Sequence, residues 1–257
     1  MIRRRRCGKL AEKSCQPSAI SRMSEFADLI RDNLARVRRQ IADAAARSGR
    51  TVEKVKLVAV TKSAGEAAIR ALVEAGCSDL GESRPQQLWD RAARLADLPI
   101  RWHMIGTLQR NKVRRTLPLV QMLQSADSPT LVEAVDRVAA ELSLCVPVLL
   151  EVNVSREGSK HGFDPVSVEP YLDELARMEH VKIRGLMCMA SLEGGLERAR
   201  RDFAALRELR DRLRPSCPDR VSMNELSMGM SGDFEAAIEE GATIVRIGSA
   251  LFEGTDA

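Results

Sequence analysis

The chain has 257 residues, 44% of them hydrophobic, 3% aromatic and 30% charged, with a formal net charge of +4. That length and apolar fraction suffice for one domain with a sizeable core, and so few aromatic rings argue against a surface built to stack nucleobases. The charge sits at the start: residues 1–22 hold Arg3, Arg4, Arg5, Arg6, Lys9, Lys13 and Arg22 against Glu12 alone, so the other 235 residues are net −2 and carry no basic footprint for nucleic acid.

No apolar h-region follows the first arginines, so no secretory signal is expected; "MSEFADLIRDNL" from Met23 reads as a natural beginning, with residues 1–22 a basic, disordered extension. Cys7, Cys15, Cys77, Cys145, Cys188 and Cys217 form no CxxC pair, which suits reduced thiols in a cytoplasmic protein rather than a disulfide frame or a metal site. No apolar run has transmembrane length, and no membrane partner is expected. Over 24–47, Phe26, Leu29, Ile30, Leu34, Val37, Ile41 and Ala44 recur at helical spacing, with Ser24 as N-cap and Gly49 past the end. Strands are then expected at 55–61, 78–82, 101–106, 119–125, 146–154, 181–190, 221–229 and 243–252. The clearest helices between them fall at 66–75, 84–96, 129–142, 166–178, 194–213 and 232–240. Alternating strands and helices in about eight units predict a single α/β domain over 23–257, a (β/α)₈ TIM-type barrel with an extra N-terminal helix. A doubly wound sheet is the second choice, but no GxGxxG follows the first strand.

Barrels of this kind carry their sites at the C-terminal ends of the strands. In "KLVAVTKSAG" (56–65) the alternation puts Val58, Val60 and Lys62 on one face, and only Lys62 reaches the functional rim. A free lysine, with a pKa of about 10.4, is a poor nucleophile; partial desolvation at a rim is expected to lower that value and ready the amine for Schiff-base chemistry. A snorkelling lysine at a strand end is the plainer reading. "LSMGMSGDFEAAIEEGA" (226–242) reads as strand, Gly-containing turn and helix, with Ser231 or Asp233 as cap and Gly229 allowing close backbone approach. "RIGSALFEG" (246–254) puts Gly248 and Ser249 at the next rim. The loops after the last two strands are the usual phosphate site of the fold, and in a closed barrel they adjoin the first strand. A phosphorylated aldehyde such as pyridoxal 5′-phosphate (PLP) would satisfy both groups. Arg246 cannot accept a proton; set against the pyridine nitrogen it would keep that nitrogen unprotonated and weaken the electron sink. Its plainer role is an ion pair with Glu225 or Glu151.

Together "LVAVTK" (57–62), "GESRPQQL" (81–88), "WHMIGTLQRNK" (102–112), "EVNVSREGSKHGF" (151–163), "RGLMCMA" (184–190) and "ELSMGMSGDFEAAIEEGATIVRIGSALFEG" (225–254) resemble the PLP-binding protein family, also called the PLP homeostasis (PROSC/YggS) family. The resemblance implies the alanine racemase N-terminal barrel, PLP fold type III. It implies that Lys62 carries the aldimine, that Ser227, Gly229, Gly248 and Ser249 hold the phosphate, and that Arg246 faces the pyridine nitrogen. Asn153, on one alternation face with Glu151, would touch the ring or serve as a hydrogen-bonded core amide. The chain departs from the family pattern at Ser83, where Asn is usual, at Gly65, where a Pro is usual nearby, and at Gly232-Asp233, where Ala-Asp is common.

Two functions compete: a carrier that holds PLP in vitamin B6 homeostasis, with PLP-dependent apo-enzymes as recipients, and a PLP-dependent amino-acid racemase. Two-base racemization needs acid–base groups on both faces of Cα. In fold-related racemases one of them is a tyrosine from a second, β-rich domain. No such segment is read before Ala257, and the one tyrosine, Tyr171, falls in a predicted helix. The carrier is therefore expected, without a catalytic residue and with at most weak side activity. A cofactor-free Schiff-base aldolase is a third reading. Of the rest, His103 reads as a packed strand residue, "LQRNKVRR" (108–115) as a solvated basic face, and Cys188 as a small core hydrophobe.

Overall fold

The computed structural model describes residues 19–155, 161–191 and 193–255, with side chains from residue 25 onward. Eight parallel strands close in chain order into a barrel: β1 Lys56–Val60, β2 Asp79–Glu82, β3 Arg101–Met104, β4 Val120–Ala126, β5 Val146–Glu151, β6 Val181–Met187, β7 Glu225–Ser227 and β8 Ile244–Ile247. Helices return the chain from one strand to the next: α2 Glu66–Glu74, α3 Pro85–Arg94, α4 Val113–Thr116, α5 Pro129–Glu141, α6 Pro165–Arg177, α7 Gly195–Leu213 and α8 Phe234–Glu239. The β3–β4 connection holds only the four-residue α4 between 3₁₀ turns, because Pro118 stops it. The closing pair sets β1 on β8, with Lys56 opposite Ile244 and Ala59 opposite Ile247.

Alternation divides the core. Val58, Met122, Leu149, Met187 and Ile244 meet inside the barrel, while their strand neighbours pack outward under the helices. This double burial is why the strands read as nearly unbroken apolar runs.

An additional helix, α1 (Ala19–Arg47), lies outside the barrel against α2 and α8. It starts five residues before the expected Ser24 cap, since no Gly or Pro interrupts residues 18–48. The remainder of the expected basic extension, residues 1–18, lies outside the described residues. Ile30, Leu34, Val37, Ile41 and Ala44 form its buried stripe. Asn33 donates to the carbonyls of Leu251 (3.4 Å) and Glu253 (2.9 Å), and Arg47 pairs with Glu235 and Glu239 of α8, both at 2.8 Å. Thus α1 braces the two segments that follow β7 and β8.

Six of the eight strands end earlier than predicted; β2 ends at Glu82 as expected, and β4 runs one residue further, to Ala126. β8 stops at Ile247 because Gly248 (φ −119°, ψ −82°) turns the chain into a 3₁₀ turn over Ser249–Leu251. The segment before β7 follows β6 through isolated bonds, Ser222 N to Ile183 O and Asn224 N to Arg184 O.

Candidate functional site

Lys62 follows the end of β1, in the turn Thr61–Gly65 at the barrel mouth. Its side chain is exposed rather than partly desolvated as expected, because β1 ends two residues earlier and the turn lifts the residue clear of the packed lumen. Three side chains that the sequence reading did not single out surround this turn. Gln87 and Arg91 of α3 bind its carbonyls, and the fully buried Glu82 binds Arg91.

Arg246 lies two positions above Ile244 on the lumenal face of β8 and is 3% exposed. It meets neither carboxylate considered for it. Nη1 donates to Ser227 Oγ (2.5 Å) and Nη2 to the Cys188 carbonyl (2.8 Å). Burial works against its charge, while Glu151 and Asp233 support it through space. Ser227 in turn donates to Gln124 Oε1 (2.7 Å), Gln124 Nε2 meets His103 Nδ1 (2.9 Å), and His103 Nε2 meets Asp79 Oδ1 (3.0 Å). Because the Gln124 carbonyl is taken by Ser227, its amide donates to Nδ1, which leaves the His103 proton on Nε2 facing Asp79. Burial alone would raise the Asp79 carboxyl, but bonds from His103 and Arg101 outweigh it and hold the group well below the usual range. Every donor in this relay points away from Arg246, so the guanidinium is anchored in one pose across five strands. His103 is thus the packed strand residue expected; Gln124 was missed, although its spacing from Met122 marks it as lumenal.

The turn after β7 and the end of β8 are stitched together. Arg246 N donates to Gly229 O (3.0 Å), and the amides of Gly248 (3.2 Å) and Ala250 (3.5 Å) converge on Ser231 Oγ. Two amides aimed at one oxygen are what an anion oxygen needs. Asp233 is not a side-chain cap of α8; its Oδ1 accepts from Met230 N (2.6 Å). A Cβ at Gly248 would lie 3.2 Å from Val60 O, so this cradle sits directly beside β1, two residues before Lys62. Arg246, opposite Val58, and Gly248, against Val60, are therefore neighbours of the Lys62 strand; Ser249 follows Gly248 in the chain, and Gly229 is tied to Arg246 through its carbonyl. Ser227 lies deeper, its hydroxyl shared between Arg246 and Gln124.

Asn153 lies across the mouth, past the end of β5, and its Oδ1 accepts from Ser155 Oγ (3.2 Å). With Glu151, Gly106, Thr107, His161 and Met189 it lines a cavity of about 220 Å³. Burial, with Asp127 nearby, pushes the Glu151 carboxyl up to about 7, against the pull of Arg246 and His161. A folded-state value above the ordinary 4.5 means that the native protein holds a proton the unfolded chain has lost. Stability should therefore fall as pH rises from about 4.5 to 7 and then level off. Glu151→Gln should recover about 3 kcal/mol at pH 8 and little at pH 4.5, read from thermal melts at both. Equal gains at the two pH values would contradict this.

The basic stretch 108–115 is partly spoken for: Arg115 stacks 4.3 Å from the Trp89 ring centroid, and Arg114 pairs with Glu141. Cys188 is fully buried, as expected. Among the described residues no helix is long and apolar enough to cross a membrane, and no cluster of three His, Cys, Asp or Glu could hold a metal.

Residues 30–256 match the family model described as alanine racemase, N-terminal domain. The chain is 38% identical over 221 residues to the pyridoxal phosphate homeostasis protein of Aquifex aeolicus, covering 86% of this chain and 96% of the relative. PipY of Synechococcus elongatus, solved with PLP bound, superposes with a TM-score of 0.77 at 35% identity, covering 87% of this chain and 99% of that one. An alanine racemase of Clostridium difficile superposes with a TM-score of 0.69 at 16% identity, over 90% of this chain and 58% of that one, which shows the shared fold alone. With its closed eight-stranded barrel, its match to this family model over residues 30–256 and its 38% identity to a relative covered almost end to end, the chain belongs to the alanine racemase N-terminal-domain family, among the pyridoxal phosphate homeostasis proteins.

Proposed function

We propose that this protein binds PLP and acts in PLP homeostasis, with Lys62 as its covalent anchor. The observation that carries the reading is the position of Gly248 against Val60, which sets the phosphate-type cradle next to the amine-bearing turn. Backbone amides around Gly229, Gly248 and Ser249 would hold the phosphate, and Ser231 Oγ already occupies the point on which two of those amides converge. Asn153 and Glu151 would face the ring from across the mouth. When bound, PLP supplies an aldehyde that takes up primary amines and a ring that can accept electrons.

Arg246 favours the carrier reading over a strongly catalytic one. A guanidinium pinned by Ser227 and the Cys188 carbonyl, and far more basic than a pyridine nitrogen, can donate a hydrogen bond to that nitrogen but does not protonate it. The ring then stays a weak electron sink. Among the described residues the one tyrosine lies in α6, its hydroxyl 3.5 Å from the Pro129 carbonyl, and does not serve the mouth as a second base. PLP-dependent apo-enzymes are the natural recipients of such a carrier, and exposed reduced Cys145 suits the cytoplasm.

The test is the absorption spectrum of the purified protein before and after adding PLP, followed by borohydride reduction and peptide mapping. A visible band that borohydride converts to a stable mass addition on Lys62 is expected. A protein whose spectrum with PLP is only that of free PLP, and which gives no borohydride-reducible adduct, would sink the proposal. Racemase assays over a panel of amino acids divide carrier from enzyme, and turnover at ordinary enzymic rates would overturn the carrier reading.

A further inference from the structure

The turn that presents Lys62 has little apolar packing of its own. Of its residues only Thr61 and Ala64 are buried, and a Cβ added at Gly65 would meet nothing within 4 Å. Apart from two backbone bonds, Ala64 N to the Thr61 carbonyl (2.8 Å) and Thr61 N to the Gly81 carbonyl (3.1 Å), what holds the turn is a set of polar side chains from the next βα unit. Arg91 Nη1 donates to the Thr61 carbonyl (2.5 Å), Arg91 Nη2 to the Ala64 carbonyl (2.6 Å), and Gln87 Nε2 to the Lys62 carbonyl (2.8 Å). Arg91 is itself fixed by an ion pair with Glu82, the last residue of β2, and the same carboxylate oxygen accepts from the Thr61 hydroxyl. One guanidinium thus spans both ends of the turn, and one carboxylate ties that guanidinium to the barrel wall.

This arrangement is a poor way to gain stability. Glu82 is fully buried and its Oε2 has no hydrogen-bond partner among the described residues. Burial pushes its carboxyl up, opposed by Thr61 and Arg91. A buried ion pair with an unsatisfied oxygen is often no better than apolar packing of the same volume. Its distinctive product is geometry: a planar fork holds two carbonyls at a fixed separation, which an ammonium cannot do.

We infer that Arg91, locked by Glu82 and assisted by Gln87, is a positioning residue that sets the pose of the Lys62 turn and so the rate at which the Lys62 amine captures an aldehyde. The inference rests on the reading of Lys62 as the anchoring amine. Misplacing a reacting group by about 1 Å can cost on the order of 10²-fold in rate, so a loosened turn should show first in capture kinetics.

The experiment compares wild type with Arg91→Met, Arg91→Lys and Gln87→Ala in the full chain. Arg91→Met should slow PLP capture, followed by stopped-flow absorbance, at least tenfold. Labelling of Lys62 by a small acylating reagent, which needs no particular approach, should change less than twofold. Hydrogen exchange of the amides of residues 62–66, measured without PLP, should rise in the same variant. Arg91→Lys, with one donor group in place of the fork, should recover only part of the capture rate. Gln87→Ala leaves the Arg91–Glu82 pair in place and should slow capture two- to threefold; it keeps the test decisive should Arg91→Met fail to fold. Unchanged capture in folded Arg91→Met, or in Gln87→Ala should that be the folded variant, overturns the inference; so does unchanged exchange at 62–66. If wild type forms no adduct at Lys62, the carrier reading fails by itself, and the exchange arm still decides whether Arg91 holds the turn.

Discussion

Lys62→Ala should abolish both the visible band formed with PLP and the borohydride-reducible adduct, while the melting temperature stays within a few degrees of wild type. The loss is complete because, among the described residues, no other side chain on the β1 side of the mouth offers a primary amine: Thr61 points outward to Glu82, and Lys56, on the same alternation face, lies at the far end of β1. The fold is spared because the Lys62 side chain is exposed and its amine has no ion pair or hydrogen bond among the described residues; only its backbone carbonyl is used, by Gln87. Surface substitutions of this type usually change stability by no more than about 0.5 kcal/mol. The backbone around Gly229, Gly248 and Ser249 is untouched by the substitution, so reversible, non-covalent binding of PLP should persist at reduced affinity. Lys62→Arg is the stricter control, since it keeps the charge and loses the nucleophile. An adduct that persists in Lys62→Ala and maps to another lysine would move the anchor and take the turn's proposed role with it.

The parts of this site that were legible in the sequence are those that depend on position along one strand. Alternation sufficed to put Lys62 at a rim and Arg246 in the lumen, and the order of βα units sufficed to make β8 the neighbour of β1. The contacts that pin those residues depend on which elements face each other and at what height. The Thr61–Glu82–Arg91 cluster draws on three segments, and each residue alone reads as an ordinary strand end or helix surface. Ser227 illustrates the same limit. Its place at the end of β7 was readable, but whether its hydroxyl meets an incoming phosphate or the guanidinium beside it follows from the height of Arg246 on β8, which pairing register decides. The plainer alternative for Arg246, an ion pair with Glu151 or Glu225, is not formed, for a related reason. Glu225 accepts from the Thr243 hydroxyl (2.5 Å) instead, and Glu151 sits higher, at the mouth. Strand ends were overextended wherever an apolar run continued past the ladder, as at Met189, which is exposed at the mouth rather than paired in β6.

Gly229→Ala should cost about 3 kcal/mol and should separately weaken recognition of a phosphate. Gly229 has φ +93°, a conformation that costs an L-residue roughly 1–2 kcal/mol. A Cβ there would lie 2.6 Å from Ala237 Cβ and 2.9 Å from Phe234 Cα, an overlap of the kind that costs about 1–3 kcal/mol to relieve. The cheapest relief is to push α8 away from the turn, but α8 is held from behind by the Arg47 pairs to Glu235 and Glu239 and by those of Arg200 to Glu239 and Glu240. The strain must then pass into Met230–Asp233, moving Ser231 away from the amides of Gly248 and Ala250 and spoiling their convergence. The matched control is Gly232→Ala in the same turn, where φ is not positive and a Cβ meets nothing within 4 Å; it should be nearly neutral. Affinity measured for PLP and for unphosphorylated pyridoxal isolates the anion term. Wild type and Gly232→Ala should strongly prefer the phosphorylated form, and Gly229→Ala should lose on the order of tenfold of that preference, about 1.4 kcal/mol. A Gly229→Ala protein that is destabilised yet keeps its full preference would show that the turn after β7 shapes the fold without holding the phosphate, and the cradle would have to be sought in the β8 end alone.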